Sequence, residues 1–366
     1  MTMIENQSKS RIKNKIAIIP CTPEPVCPNC HSVLDVIRNH KKFQVNCGTC
    51  GKQFKGCAGF LDLRTHSDRY LSLNQERQKA ERLAQYENQE SLVGLTRRYY
   101  QMTADVSPMR RERFVKHVMD SEFRGAALLN RIPQNGTILE VGSGTGGFMA
   151  SALLAGRNVT GVDIASRWLV VARKRLMEMG FDHPLPIYPA CAERLPWPDQ
   201  TFDHVVVDSL LEHLGNPGIA IAEMLRVVKP GGTILIWSPN RYWPGVDPHV
   251  GLFGVGYLSR SWAEKYVAWR RGEIHWPESR SAKGWAKVAS ESCHLNEVHY
   301  QGADFSGWPL RDQSRRAQVA RLLGRLSKLP ILSSLVTQFG PVGEIKIIKT
   351  ATNSYPSDLN QSELLS

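Results

Sequence analysis

Residues 138–150 read ILEVGSGTGGFMA. Apolar residues around Glu140 make a short buried strand, and the glycines behind it make a turn into a helix. Two spacings overlap in that turn. Gly142, Gly144 and Gly147 spell G-x-G-x-x-G, the dinucleotide pattern, whereas Gly142, Gly144 and Gly146 spell G-x-G-x-G. In the first reading a pyrophosphate rests on the helix N-terminus. Glu140 argues against it. This carboxylate stands two residues before Gly142, at the strand's carboxyl end where the ligand binds, and it repels phosphate. It suits a cationic ligand, and the glycines let backbone approach that ligand closely.

Outward from this turn, strand and helix patterns alternate. TILEV, VTGVD, LPIYPA, FDHVVVDS, TILIWSP, NEVHYQG and GEIKIIK read as strands. Helices begin near Gly147, in SRWLVVARKRLMEMG with Ser166 as N-cap and Gly180 as stop, in PGIAIAEMLRVV before KPGG, and in GWAKVASESC. The expected fold is α/β: a Rossmann-like, seven-stranded, mainly parallel sheet with helices on both faces. Asp163 ends the second strand, where a carboxylate can accept both hydroxyls of a ribose.

The segments LEVGSGTG, GVDIA, AERLPWPDQTFDHVV, LLEHL and RVVKPGG, in that order, resemble class I S-adenosylmethionine-dependent methyltransferases, of the group related to ubiquinone and menaquinone methyltransferases. The resemblance covers about residues 135–240. S-adenosylmethionine carries an ammonium and a sulfonium, which agrees with Glu140. The resemblance implies that Glu140, Gly142, Gly144 and Gly146 surround the methionine part, that Asp163 holds the ribose, and that Ile164 packs on the adenine. Ala192 and Glu193 match the family's D-A-E turn, with Cys191 where the family has Asp. Asp208 and Ser209 would face the methyl and the acceptor. His213 in LLEHL and His249 in PNRYWPGVDPHVGLF are the candidates for a general base or acceptor contact.

Of eight cysteines, six precede residue 58. Cys27-x2-Cys30 and Cys47-x2-Cys50 have the spacing of two facing knuckles, which is the arrangement a tetrahedral structural Zn2+ needs. With four thiolates no coordination position stays open, so the zinc holds the fold. This part is similar to a Trm112-like zinc ribbon. Cys21, Cys57, Cys191 and Cys293 show no partner pattern and read as small apolar side chains.

The expected organisation is a flexible basic arm (1–22), the zinc ribbon (23–64), a helical linker or cap (65–131), the methyltransferase domain (132–350) and a disordered tail (351–366). Within the domain lie an aromatic insertion (238–282) and a basic amphipathic helix (312–336). The insertion follows Trp237 and carries Tyr242, Trp243, Phe253, Tyr257, Trp262, Tyr266, Trp269 and Trp276, which could form an apolar lid. The formal net charge of +12 is concentrated in the flanks: residues 1–55 carry 9 Lys/Arg against 3 Asp/Glu, and residues 132–309 carry 16 against 17. Such flanks admit RNA or peripheral contact with an anionic membrane as partners. No apolar run reaches the ~20 residues of a membrane span, and a cytoplasmic location is expected.

The favoured function is therefore methyl transfer to a small-molecule acceptor, hydrophobic or aromatic, such as a quinone precursor or a natural-product-like compound. A zinc-ribbon rRNA or tRNA base methyltransferase and a non-catalytic methyltransferase-like binding module are the alternatives.

Overall fold

The computed structural model describes residues 22–350 apart from 40–41, 104–107, 182–183, 273–276, 278 and 293–295. The arm, the tail, Cys21, Cys293 and Trp276 lie outside the described residues, save Thr22 of the arm.

The chain begins with a small antiparallel sheet in the order β1 (Asp35–Asn39), β2 (Lys42–Asn46), β3 (Gln53–Cys57), β4 (Phe60–Leu61). Its two knuckles bring the Sγ atoms of Cys27, Cys30, Cys47 and Cys50 within 4.8 Å of one another. Cys27–Cys50 are 3.7 Å apart and Cys30–Cys47 3.4 Å. Four sulfurs at ~2.3 Å from a tetrahedral ion would stand about 3.8 Å apart, so the set fits Zn2+.

Three helices follow: α1 (Leu73–Ala84), α2 (Leu92–Gln101) and α3 (Pro108–Leu129). Ser72 starts α1 with a capping box, accepting from Gln75 N–H while the Gln75 side chain accepts from Ser72 N–H.

The alternation then begins: β5 (Thr137–Val141), α4 (Gly147–Leu154), β6 (Asn158–Asp163), α5 (Ser166–Glu178), β7 (Ile187–Pro189), β8 (Phe202–Asp208), α6 (Pro217–Val227), β9 (Val228–Pro239), α7 (Arg260–Arg271), α8 (Ala282–Ser292), β10 (Glu297–Gly302), α9 (Arg315–Leu326), α10 (Pro330–Phe339) and β11 (Val342–Ile348). The seven strands lie in the order β10-β11-β9-β8-β5-β6-β7. All neighbours are parallel except the β10–β11 and β11–β9 pairs. In β5, Ile138 joins the core layer of α3, α4 and α5, and Leu139 and Val141 join the opposite layer of α6 and α8. Both faces are apolar because both carry helices.

The ribbon is part of that second layer. Cys27, Leu34, Val45 and Phe54 share one buried cluster with Leu139, Trp197 and Phe202. Leu63 N–H donates to Pro189 O at 2.8 Å, so the segment leaving β4 covers edge strand β7.

Two expectations change here. The stretch 312–336 is two helices, not one: α9 ends at Leu326, and α10 restarts with Pro330, whose ring fits a first helical turn but not an interior. Ala317, Ala320 and Gly324 form the buried side of α9, while Val319 and Leu322 are exposed. The aromatic insertion also differs. Trp237 is a fully buried β9 residue, whereas Phe253, Tyr257, Trp262 and Trp269 are exposed. The insertion's own small core is Val250, Leu252, Val255, Ala263 and Val267.

Candidate active site

β5 pairs with β6 on one side and β8 on the other, so successive connections diverge there and leave a crevice at the strands' carboxyl ends. The glycine turn occupies it. Gly142, Gly144 and Gly146 have φ of 80°, 49° and 73°, a region in which a side chain is strained. Gly142 and Ser143 N–H both donate to Val162 O, at 2.8 and 2.9 Å, tying the turn to β6. A Cβ on Gly144 would meet nothing nearer than Gly142 O at 4.0 Å, so this edge is open to a ligand. A Cβ on Gly147 would lie 2.7 Å from Ser121 Cβ of α3. The last glycine of G-x-G-x-x-G thus serves helix packing.

Two carboxylates line the turn. Glu140 is 3% exposed, and its Oε2 has no hydrogen-bond partner among the described residues. Burial, with Asp208 and Asp163 adding like charge, raises its pKa well above the usual carboxylate range. A cationic ligand would satisfy that orphaned oxygen. Asp163 Oδ2 accepts Gly144 N–H at 2.8 Å and Oδ1 accepts Ala165 N–H at 2.7 Å. Burial pushes its pKa to about 6. Each oxygen keeps a lone pair for a ribose hydroxyl. The Ala165 bond also corrects the helix start: the cap residue of α5 is Ala165, and Ser166 is the first helical residue with its Oγ buried.

The segment leaving the ribbon lies against the turn expected beside adenine. Arg64 donates to Ile164 O at 3.1 Å while both oxygens of Asp62 hold its guanidinium at 2.7 Å. Thr65 N–H donates to Cys191 Sγ at 3.4 Å, and Glu193 stands 3.4 Å from His66 Nε2. Ala192 is buried. Cys191 is therefore a buried acceptor for this segment as well as a small apolar side chain.

On the other side of the crevice, both oxygens of Asp208 receive Arg124 of α3 at 2.6 Å. Ser209 then takes φ 57°, turning the chain sharply into a 3-10 turn, Leu211–His213. A Cβ on Gly142 would lie 3.1 Å from Leu210 Cβ, so this turn stands beside the crevice. His213 and His249 meet edge to face with ring centroids 5.1 Å apart. The Tyr70 hydroxyl lies 2.8 Å from His213 Nδ1. Glu212 is wholly buried; its Oε2 accepts Ser238 Oγ–H at 3.1 Å, and its Oε1 is 3.8 Å from His249 Nε2. Burial lowers the His249 pKa and lifts Glu212 to about 7. Asp247 Oδ1 accepts the N–H groups of His249 and Val250 at 2.9 and 3.0 Å, fixing the loop that delivers His249.

The fold thus brings His213 and His249 together and holds Asp208 in an ion pair. Sequence reading missed Tyr70, Arg124 and Glu212. Tyr70 and Arg124 give no local signal, because their partners are distant in the chain. Glu212 gave one: a charge inside the apolar run LLEHL.

A family model described as a methyltransferase domain matches residues 139–236, the span from β5 to β9. The chain carries a class I S-adenosylmethionine-dependent methyltransferase domain. It is 32% identical over 135 residues to a ubiquinone/menaquinone biosynthesis C-methyltransferase of Cupriavidus metallidurans, covering 36% of this chain and 54% of that protein. It is 36% identical over 120 residues to a ubiquinone biosynthesis O-methyltransferase of Dechloromonas aromatica, covering 32% and 48%. The chain spans about half the length of these curated relatives. A solved phosphoethanolamine N-methyltransferase 2 of Haemonchus contortus, in complex with S-adenosyl-L-methionine, superposes with a TM-score of 0.39 at 21% identity, covering 62% of this chain and 52% of that one. Among the described residues, no helix is long and apolar enough to cross a membrane.

Proposed function

We propose that this chain transfers a methyl group from S-adenosylmethionine to a small-molecule acceptor whose hydroxyl is received by His213 and His249. The observation that carries this reading is the cluster of Tyr70, Glu212, His213 and His249 beside the glycine turn. S-adenosylmethionine, when bound, supplies an electrophilic methyl on a neutral leaving group. Glu140 and Asp163 would hold its cationic and ribose parts, and the Gly142–Gly146 backbone would line it. Asp208, neutralised by Arg124, keeps the wall polar without adding a free charge.

An acceptor hydroxyl must lose its proton as the new bond forms. His249 is neutral near pH 7 because burial disfavours its charged form, so its ring can take that proton. Glu212 Oε1 beside Nε2 stabilises the imidazolium that results. Tyr70 fixes the orientation of the His213 ring through its Nδ1. The acceptor that fits is a hydroxylated, largely apolar molecule, in keeping with the two quinone-pathway relatives named above. Zn2+ on Cys27, Cys30, Cys47 and Cys50 would be structural.

Two measurements test the reading. Calorimetry with S-adenosylmethionine should show one site per chain that weakens at least ~10-fold in Asp163→Ala. Labelled cofactor incubated with cell extract should label the small-molecule fraction; label in the RNA fraction would establish the base-methylating alternative instead. Absence of cofactor binding would leave a non-catalytic module.

A further inference from the structure

We propose that Glu212, His213 and His249 form a site for a divalent transition-metal ion, and that the acceptor is a molecule offering two adjacent oxygens to it. The inference rests on the methyltransferase reading for the acceptor, but not for the ion.

One ligand atom from each of the three residues lies within 4.8 Å of the other two. Two imidazoles and one carboxylate are a donor set that binds Zn2+, Fe2+ or Co2+ while leaving positions open. Ligands at ~2.1 Å from an ion stand roughly 3–4 Å apart, and the 3.8 Å between Glu212 Oε1 and His249 Nε2 already meets that.

Independent observations point to a ligand. Glu212 is completely buried, yet neither its Oε1 nor His249 Nε2 has a hydrogen-bond partner among the described residues. A charge so placed, 3.8 Å from an imidazole nitrogen, is costly unless a cation joins them. The surrounding contacts are also those of a metal centre. Ser238 holds the other Glu212 oxygen, and the Tyr70 hydroxyl lies on His213 Nδ1, as the outer partners of metal ligands do. Arg124 is engaged by Asp208 and does not fill the gap.

An ion here would stand next to the crevice, on the acceptor side. Its open positions would take a vicinal diol, a catechol or an α-hydroxy carbonyl as a chelate. With the ion in place His249 is a ligand and no longer the base, and the metal would itself lower the pKa of the bound hydroxyl, whose proton leaves to water or buffer before the methyl arrives.

The test uses full-length protein with its ribbon loaded with Zn2+, titrated with Co2+ in the absence of cofactor. The expected result is one Co2+ per chain with visible ligand-field bands and no thiolate charge-transfer absorption. Glu212→Gln and His249→Gln should each weaken Co2+ at least ~10-fold while leaving the Kd of S-adenosylmethionine unchanged, which shows that they fold. Adding catechol should shift the Co2+ bands, and phenol should not. Absence of Co2+ binding, or equal binding in both variants, overturns the metal site. Bands that ignore catechol overturn the acceptor class. Loss of cofactor binding in the parent protein would instead strike the methyltransferase reading, and the Co2+ result stands apart from it.

Discussion

The Tyr70 hydroxyl lies 2.8 Å from His213 Nδ1, joining the segment that leaves the ribbon to the turn that leaves β8. The contact closes the crevice with a residue 143 positions earlier in the chain. Tyr70→Phe removes the bond and keeps the ring. We expect kcat to fall by about 10²-fold and the Kd of S-adenosylmethionine to stay the same, as for a group that acts on the acceptor. His213→Ala should fall as far, and the double variant no further, because the two act as a unit. Fully multiplied losses in steady-state kinetics would separate them.

Cofactor binding should depend on pH through Asp163. Burial raises its pKa from 3.8 to about 6. The neutral form is favoured in the folded protein, so the stability this group contributes is full below pH 3.8 and is lost as pH rises through about 6. Ribose hydroxyls donate to the ionised form, so binding pulls the proton off. Affinity should therefore weaken as pH falls below about 6, by up to tenfold per unit, with proton release on binding at pH 5.5. Calorimetry in two buffers of different ionisation enthalpy measures that release. Asp163→Asn should bind weakly at every pH and release no proton.

The sheet was readable in advance because its central strands, such as Thr137–Val141 and Phe202–Asp208, are buried on both faces and so read as apolar runs. The seven expected strands are the seven observed, down to the three-residue β7. The glycine turn was readable because only glycine tolerates its backbone. What sequence could not give is pairing across the fold. Glu76 on α1 is buried against Arg167 at the start of α5, and Arg167 also donates to the Tyr99 hydroxyl at 3.0 Å. None of these three residues differs locally from a surface residue. The insertion misled for another reason: its aromatics were counted without a period, and α7 turns Trp262 and Trp269 outward.

Zinc removal should destabilise the whole domain rather than release a separate module. Trp197, fully buried, donates to Pro23 O at 3.1 Å, and Val26 N–H donates to Pro196 O at 2.8 Å. Ribbon and sheet share one apolar layer, so they should unfold together. In calorimetry, a chelator or Cys47→Ser should lower one cooperative transition. An unchanged main transition with a small early one would show that the ribbon folds independently.

Gly125 lets α3 lie directly on α4. A Cβ there would stand 2.6 Å from Phe148 Cα and 2.7 Å from Gly147 O, both backbone atoms that cannot turn aside. Gly125→Ala should cost about 1–3 kcal/mol in denaturant unfolding, although alanine is the better helix former. A gain in stability would show that α3 is free to move away. Weaker cofactor binding should accompany the loss, since Gly147 follows the glycine turn.

Arg124 and Asp208 offer the sharpest test of how the crevice balances its charges. The pair is bidentate and mostly buried, with Arg124 also 5.3 Å from the Trp237 ring centre. Glu140, Asp163 and Glu212 all lie close enough to be raised by burial or by neighbouring acids, and Arg124 is the cation that offsets Asp208. Arg124→Met keeps the stem over the indole but strands the Asp208 charge, which should cost about 3 kcal/mol. The stranded charge should also hold the proton on Glu140 more tightly, so S-adenosylmethionine should bind more weakly. Asp208→Asn in the same chain removes the stranded charge. The double variant should therefore be more stable than Arg124→Met and should recover cofactor affinity, with a coupling energy of about 1–3 kcal/mol in urea unfolding. Strictly additive losses would mean that Asp208 meets the cofactor itself, as the family resemblance implied, rather than acting through its partner.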